Sequence, residues 1–151
     1  MSAIATIEKE AEAIRNRKHE SIVPGQQERL NEACAINDGA RQGDLYLKIV
    51  DAVPAGYVRV EKPKAIDKQL VPGNTEGAKH CLDSFAGVAL YRPADWPNAE
   101  SLIGPCFVLT KERTVLHPVH GAVQIAAGHT VLCSYQREFD AETRRERRNA
   151  D

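Results

Sequence analysis

Between residues 41 and 139, apolar and polar residues alternate with a period of two. In "DLYLKIV" (44–50), Leu45, Leu47 and Ile49 fall on one face of an extended chain. Similar segments follow, separated by Pro, Gly, Asn and Asp: "YVRVE" (57–61), "GVALYR" (87–92), "CFVLT" (106–110), "TVLH" (114–117), "AVQIA" (122–126) and "HTVLCSYQREF" (129–139). Short strands at this spacing predict a mainly β domain, an antiparallel β-sandwich or barrel. One-sided burial predicts core positions at Leu45, Leu47, Ile49, Val88, Leu90, Val108, Val123, Ile125 and Val131.

Residues 1–40 follow a helical period instead. Ile4, Ile7 and Ile14 recur at helical spacing with charged residues between them, which predicts an amphipathic helix of about four turns with a narrow apolar stripe. After the breaker "VPGQQ", a second short helix is predicted from about Gln26 to Ile36. The pattern therefore predicts a helical N-terminal arm (1–40) that needs a partner to cover its stripe.

The last residues, 140–151, read "DAETRRERRNAD" and contain almost nothing apolar. Asp140 is a good N-cap, which makes a short helix possible in principle, whereas the composition is more typical of a solvated tail. In either form the segment is a charged C-terminal tail whose arginines are suited to an acidic partner. The arginines concerned are Arg144, Arg145, Arg147 and Arg148.

Composition narrows the classes of function. The chain has 151 residues, which fits one domain. Its formal net charge is -1, so there is no overall positive charge to attract nucleic acid or an anionic membrane. The N-terminus lacks the apolar core of a signal peptide, and no stretch reaches the roughly 20 apolar residues of a membrane span. We therefore expect a soluble, intracellular protein without nucleic-acid or membrane partners. Its four cysteines form no C-x-x-C pair, which predicts reduced and mostly buried thiols.

The segment 115–139, "VLHPVHGAVQIAAGHTVLCSYQREF", holds three of the five histidines. His117 ends one predicted strand, and Gly121 suits the positive φ of a hairpin turn, so His120 is explained equally well as a turn residue. His80 lies in the long irregular stretch 62–86. If the chain brings His80, His117 and His120 together, they form a candidate site for zinc or iron.

The sequence offers further candidate metal ligands for that site. Cys81 and His129 are near enough in sequence to join it, and Cys81 or Cys133 paired with a histidine would make a nucleophile for hydrolysis. No family signature surrounds either thiol, and nothing else identifies a reaction centre. The sequence therefore favours a non-enzymatic protein without a cofactor.

Five segments together resemble a group of small, largely uncharacterised proteins of phages and prophage-bearing bacteria. They are "RQGDLYLKIVDAVPAG" (41–56), "EGAKH" (76–80), "GVALY" (87–91), "LHPVHG" (116–121) and "YQREF" (135–139). The resemblance covers about residues 41–145 and implies a β-rich domain of phage type. Where the relatives tend to show Gly-His-x-His, this chain has Lys79-His80-Cys81-Leu82.

A second, partial resemblance is to the cupins, which are metal-binding β-barrels. The segment from Gly121 to Gly128 is similar to the second cupin motif, but it lacks the expected proline, and Leu82 replaces the second histidine of the first motif. This resemblance implies a cupin-like shape rather than cupin chemistry.

These observations favour a non-enzymatic phage-type assembly or binding protein, for example a virion-associated accessory or decoration subunit. Such a protein would form a homo-oligomer or a larger assembly in the host cytoplasm or the virion. Ile4, Ile7 and Ile14 would then contact a neighbouring chain. The alternative is a cupin-like β-barrel that binds zinc or iron and has a small-molecule or hydrolytic role.

Overall fold

The computed structural model describes residues 27–73, 76–97, 101–140 and 145–148, and these residues are mainly β-structure. The mainly β fold predicted from the alternating pattern is therefore confirmed. In chain order, the strands are β1 Gln27–Leu30, β2 Gly39–Gln42, β3 Leu45–Val50, β4 Tyr57–Arg59, β5 Cys81–Leu82, β6 Val88–Pro93, β7 Ile103–Leu109, β8 Arg113–Leu116, β9 Ala122–Ile125, β10 Thr130–Tyr135, β11 Arg137–Asp140 and β12 Arg145–Arg148.

The strands form two main sheets and one small one. The six-stranded sheet has the order β2-β3-β10-β7-β6-β4, and the four-stranded sheet has the order β1-β9-β8-β5. β1 pairs with β9 in parallel, whereas the other strand pairs of the described residues are antiparallel. Each main sheet thus combines neighbours that are far apart in sequence.

One hydrophobic cluster receives side chains from both main sheets. The six-stranded sheet contributes Leu47 and Phe107, and the four-stranded sheet contributes Val115 and Ile125, all fully buried. Of the predicted core positions, the buried ones are Leu45, Leu47, Ile49, Leu90, Val123, Ile125 and Val131. Val88 packs against the cluster while partly exposed. Val108 was wrongly predicted: it lies on the opposite face of β7, and Phe107 and Leu109 point to the core instead.

The helix predicted from Gln26 to Ile36 is wrong over the described residues. Gln27–Leu30 is strand β1, in which Glu28 and Leu30 are buried while Arg29 between them is exposed. A tight turn follows at Asn31, whose side-chain oxygen accepts a hydrogen bond from the backbone N–H of Ala33. Pairing with β9 supplies the backbone hydrogen bonds that a helix would otherwise provide. The helix predicted for the first twenty residues, with Ile4, Ile7 and Ile14, lies outside the described residues.

The short helix considered for the C-terminal tail is also wrong where the tail is described. Arg145–Arg148 is strand β12, which pairs antiparallel with β11 as a hairpin. The strand predicted to run continuously to Phe139 is interrupted at Gln136, whose backbone N–H donates to the Asp44 carbonyl oxygen. This bond closes β10, so that β11 leaves the six-stranded sheet and pairs with β12.

The irregular stretch 62–86 is tied to the sheets at several points. It contains the 3-10 turns Ala65–Lys68 and Glu76–Ala78 and the short strand β5. Leu70 is fully buried; its backbone N–H donates to the His80 carbonyl oxygen at 2.7 Å, and its own carbonyl oxygen accepts from the Tyr135 hydroxyl at 2.8 Å. The stretch is thereby held against the core.

The cysteines are free thiols, as predicted, and Cys34, Cys106 and Cys133 are buried. Burial raises the pKa of Cys106 to about 11 and holds that of Cys133 well above its usual value. Among the described residues, no helix has the length and the apolar character needed to cross a bilayer.

Candidate functional site

The three histidines of the predicted site lie together. The ring centroids are 4.2 Å apart for His80 and His117, 4.5 Å for His117 and His120, and 6.3 Å for His80 and His120. Strand register explains the first contact: Cys81 of β5 stands opposite Leu116 of β8, so the residues just outside the ladder, His80 and His117, are also opposite. His120 joins them from the turn that ends at Gly121, where φ is 81° as a hairpin glycine requires.

Gln42 links this cluster to both main sheets. It is fully buried in β2, and its amide Nε2 donates to the carbonyl oxygens of Val115 at 3.0 Å and of Gly121 at 2.7 Å. Because both N–H groups are directed at carbonyls, the amide orientation is determined, and its Oε1 must face His80 Nδ1, 2.8 Å away. His80 therefore carries a proton on Nδ1 and donates it to Gln42.

His117 is held in the other tautomer. Its Nδ1 accepts hydrogen bonds from the backbone N–H groups of Val119 and His120, each at 3.0 Å. Since Nδ1 acts as the acceptor, the ring proton is on Nε2, which donates to the Gly77 carbonyl oxygen at 3.2 Å. The ring thus connects the turn before β9 to the 3-10 turn of residues 76–78.

His80 is the deepest member of the cluster. Its side chain is fully buried, and its Nε2 lies 3.2 Å from Asp44 Oδ1, a distance of an ion pair but without the alignment of a hydrogen bond. Asp44 is itself 3% exposed. The His80 ring and the Asp44 carboxylate thus face each other in the buried interior.

Residues from distant segments complete the network around Asp44. Arg41 Nε donates to the Gly43 carbonyl oxygen at 2.7 Å, and Arg41 Nη2 donates to Gln136 Oε1 at 3.1 Å. The backbone N–H of Gln136 in turn donates to the Asp44 carbonyl oxygen at 2.9 Å. The segments R-Q-G-D, E-G, H-P-V-H-G and Y-Q-R-E-F thus meet in one place, although they are up to 95 residues apart.

The hydrogen bonds of His117 do not fit a metal ion. A histidine ligand needs an unprotonated ring nitrogen directed at the metal, whereas both nitrogens of His117 are engaged by backbone groups. The Nδ1–H bond of His80 to Gln42 leaves its Nε2, 3.2 Å from Asp44 Oδ1, as its remaining ring nitrogen. Within the described parts of the chain, no group of three or more His, Cys, Asp or Glu side chains is arranged to hold a metal. The three histidine rings lie together, and metal binding stays a prediction.

Neither thiol considered for hydrolysis has the environment of a nucleophile. Burial raises the pKa of Cys81 above its usual value, although the nearby Lys79 and Lys68 act in the opposite direction. Cys133 is fully buried in the hydrophobic core. Because thiolate is the reactive form, raised pKa values make both residues poor nucleophiles near neutral pH.

The remaining candidate residues lie elsewhere. His129 is separate from the cluster, with its Nε2 2.8 Å from the Asn31 carbonyl oxygen. The backbones of Arg145, Arg147 and Arg148 form β12, where Arg145 stands opposite Asp140 and Arg147 opposite Glu138. Arg144 lies outside the described residues, like the three isoleucines of the N-terminal segment.

Residues 41–133 match the family model described as a domain of unknown function, DUF8820. The protein belongs to this family. The matched region contains Gln42, Asp44 and all three clustered histidines, so the network lies almost entirely within the family domain. Comparisons with curated proteins and with solved structures gave no match.

Sequence reasoning identified the histidines of the domain but missed the residues that orient them. Gln42 and Asp44 stand in the R-Q-G-D segment, which enters the sequence reasoning only through the resemblance to phage proteins. Asp44 directly before the alternating segment 45–50 was the available signal, because a polar residue beside a buried strand often needs an internal partner.

Proposed function

We propose that this protein is a non-enzymatic assembly or binding protein, a phage-type accessory subunit that associates with further copies of itself. One observation carries the proposal: the face of the six-stranded sheet turned away from the core has an apolar centre. The histidine network supports it, because its hydrogen bonds join the two sheets and serve the architecture of the domain.

The apolar face follows from strand register. Residues on this face alternate with core residues such as Leu90, Phe107 and Val131. One cross-strand row runs through the six strands as Arg59, Tyr91, Cys106, Leu132, Lys48 and Gly39, and the next contains Ala89, Val108, Thr130 and Val50. Arg59 and Lys48 are exposed and Cys106 is buried, whereas the other residues of the two rows are half-buried. An antiparallel sheet that faces only water normally presents polar residues there, so the apolar centre of this face supports the proposed interface.

The four-stranded sheet provides the contrast within the same chain. On its face away from the core, Arg29, Gln124 and Thr114 form a polar cross-strand row. Arg29 is exposed, and Gln124 and Thr114 are half-buried. The two sheets therefore differ in the surface they offer, which favours an interface on the six-stranded one.

The two ends of the chain extend this proposal. Ile4, Ile7 and Ile14 are proposed to pack against a neighbouring chain, and the arginines of residues 144–148 to contact an acidic surface on a partner. Within the hairpin, Arg145 and Arg147 stand opposite acidic residues, whereas Arg148 stands opposite Arg137. The strand register therefore singles out Arg148 for the proposed contact with an acidic partner. A two-stranded hairpin is marginal alone, so β11 and β12 are suited to support from another surface.

Two further parts of the proposal concern shape and origin. We propose that the main sheets pack face to face as a β-sandwich, because one core cluster draws on both and Gln42 bonds from β2 to β8. A phage origin, with the host cytoplasm or the virion as its location, is supported by the order of the five resembling segments.

Replacing Leu132 by glutamate tests the interface directly. We expect the unaltered chain to sediment as an oligomer, and Leu132→Glu to weaken association at least about tenfold, because a carboxylate is costly to bury in an apolar contact. Deleting residues 1–20 is expected to weaken association as well. Sedimentation velocity and mass photometry over a concentration series measure both effects.

Gln124→Glu is the matched control on the polar sheet face. Each substitution introduces a carboxylate on a half-buried position opposite a basic residue, Lys48 for Leu132 and Arg29 for Gln124. The control should associate as the unaltered chain does. A monomeric full chain, or equal weakening by both substitutions, contradicts the proposed interface.

Elemental analysis separates this proposal from the metal-binding alternative. Because both ring nitrogens of His117 are engaged by backbone groups, and no ligand set of three or more side chains is arranged among the described residues, we expect purified protein to contain far less than one zinc or iron per chain. Protein refolded in the presence of zinc should melt at an unchanged temperature. Stoichiometric metal that disappears in His117→Ala would instead favour the cupin-like alternative.

A further inference from the structure

A pocket of about 270 Å³ lies between the stretch 62–86 and the segment after β6. Its lining residues include neither the clustered histidines nor Gln42 and Asp44, and none of them belongs to the two cross-strand rows of the proposed interface. Its lining combines apolar side chains with a small number of polar ones: Ile66, Val71, Pro72, Trp96 and Pro97 on the apolar side, and Asp67, Gln69 and Arg92 on the polar side. Such a mixture in a concave surface is typical of a small-molecule site.

The walls of the pocket are held in place before any ligand binds. Trp96 packs against the hydrophobic core, with its ring centroid 6.3 Å from that of Tyr135. Gln69 Nε2 donates to the carbonyl oxygens of Val71 and Gly73, both at 2.7 Å, which fixes the loop that forms one side. A pre-formed site loses little conformational entropy on binding.

The charges in the pocket balance. Arg92 Nη2 donates to Asp67 Oδ1 at 2.6 Å, and Asp67 Oδ2 accepts from the backbone N–H of Lys64 at 2.7 Å. Burial alone would raise the pKa of Asp67, but these two hydrogen bonds and the Arg92 charge outweigh it and lower the pKa below its usual value. The pocket therefore holds a neutral ion pair, which favours a neutral ligand over an ionic one.

Unused hydrogen-bonding groups remain in the lining. Both N–H groups of the Gln69 amide are engaged, so its Oε1 is left as an acceptor, with no donor to it among the described residues. Among the described residues, Arg92 donates only through Nη2, and the Trp96 indole N–H has no acceptor there. A ligand that both donates and accepts hydrogen bonds thus complements the polar side.

We propose that this pocket binds a neutral sugar ring. The C–H face of the ring would lie against Trp96, whose π-face carries partial negative charge, and its hydroxyl groups would bond to Gln69 Oε1 and the free N–H groups of Arg92. A peptide is a poorer match, because Pro72 and Pro97 have no backbone N–H to pair with it and the pocket is small.

Trp96 is the chain's single tryptophan, so intrinsic fluorescence reports on this pocket alone. Titration with the methyl glycosides of glucose, galactose and N-acetylglucosamine at millimolar concentrations should change the emission in a saturable way for at least one of them. Arg92→Lys, which keeps the charge beside Asp67 but loses the planar fork of donors, should weaken that binding about tenfold.

Ile66→Glu and Ile36→Glu form a matched pair for the same titration. Both isoleucines are exposed, at 68% and 55%, but only Ile66 lines the pocket. The Ile66 variant should lose binding because its carboxylate competes for the Arg92 donors, while the Ile36 variant binds normally and both melt like the unaltered chain. The proposal is overturned if no sugar gives saturation, if Ile66→Glu binds as well as Ile36→Glu, or if only inorganic phosphate or a proline-rich peptide saturates the signal.

Discussion

Replacing Gln42 by leucine is expected to lower the free energy of unfolding by about 3–5 kcal/mol, the larger of two stability effects that follow from the structure. The substitution removes three hydrogen bonds, of which those to the Val115 carbonyl oxygen and from the His80 Nδ1–H are buried and that to the Gly121 carbonyl oxygen is partly buried. Each unsatisfied buried group costs roughly 1–3 kcal/mol, and leucine cannot restore any of these bonds. Thermal and urea unfolding of the pure protein measure the loss, with a melting temperature lower by roughly 10 °C.

Gln69→Leu is the matched control for this experiment. Gln69 also donates to two backbone carbonyls, but these lie two and four residues away, and the side chain is half-buried in the pocket wall. Water can replace those bonds, so the loss should be about 1 kcal/mol or less. Similar losses for the two variants would show that Gln42 is not a link between the sheets.

The periodic positions of the core could be predicted because strand alternation is a local property. In 44–50 every second residue is apolar on one face, and Leu45, Leu47 and Ile49 are all buried. The same reasoning failed at Val108 because "CFVLT" is apolar at four successive positions, so the pattern does not say which face is buried. The choice depends on register with β6 and β10, which is not a local property.

Strand β1 shows a different limit of sequence reasoning. Leu30 and Cys34 fit a helical spacing, and both are buried as that helix required. The geometry is nevertheless extended, because Gln27–Leu30 pairs with β9, more than ninety residues further along the chain. A four-residue segment has weak intrinsic preference, so a partner strand decides its structure.

The sequence identified which histidines belong to the candidate site, but not whether they bind a metal. Histidines in H-P-V-H-G and near E-G were identified from the sequence, and they do converge. Whether they bind a metal depends on which ring nitrogens are free, and this follows from the orientation of the Gln42 amide and of backbone N–H groups around His117. Residue spacing carries no information about those orientations.

The apolar face and the pocket could not be predicted from the sequence, because both are formed by residues from separate segments. Tyr91, Cys106 and Leu132 belong to three strands, and only their register places them in one row. Trp96 and Gln69 likewise meet across a pocket whose sides come from separate segments. The unusual length of the irregular stretch 62–86 is the one local signal in the sequence that points to this part of the surface.

The second large effect is expected for Gly104→Ala, which should destabilise the protein by about 3 kcal/mol. A Cβ atom at this position would overlap the Tyr135 hydroxyl and come within 2.7 Å of its ring carbon Cζ. Tyr135 cannot move away easily, because it is buried and its hydroxyl donates to the Leu70 carbonyl oxygen at 2.8 Å. Chemical denaturation followed by circular dichroism measures the loss.

Two further variants distinguish this overlap from a general intolerance of glycine substitution. Gly56 has a φ of 85° and open space around its Cβ position, so Gly56→Ala should cost only the backbone strain, about 1 kcal/mol. Tyr135→Leu destabilises the chain by removing the ring and its hydrogen bond, but it also makes room for the extra methyl group. Gly104→Ala added to Tyr135→Leu should therefore cost about 2 kcal/mol less than it does alone. Strict additivity of the two substitutions would show that Tyr135 is not what requires a glycine at residue 104.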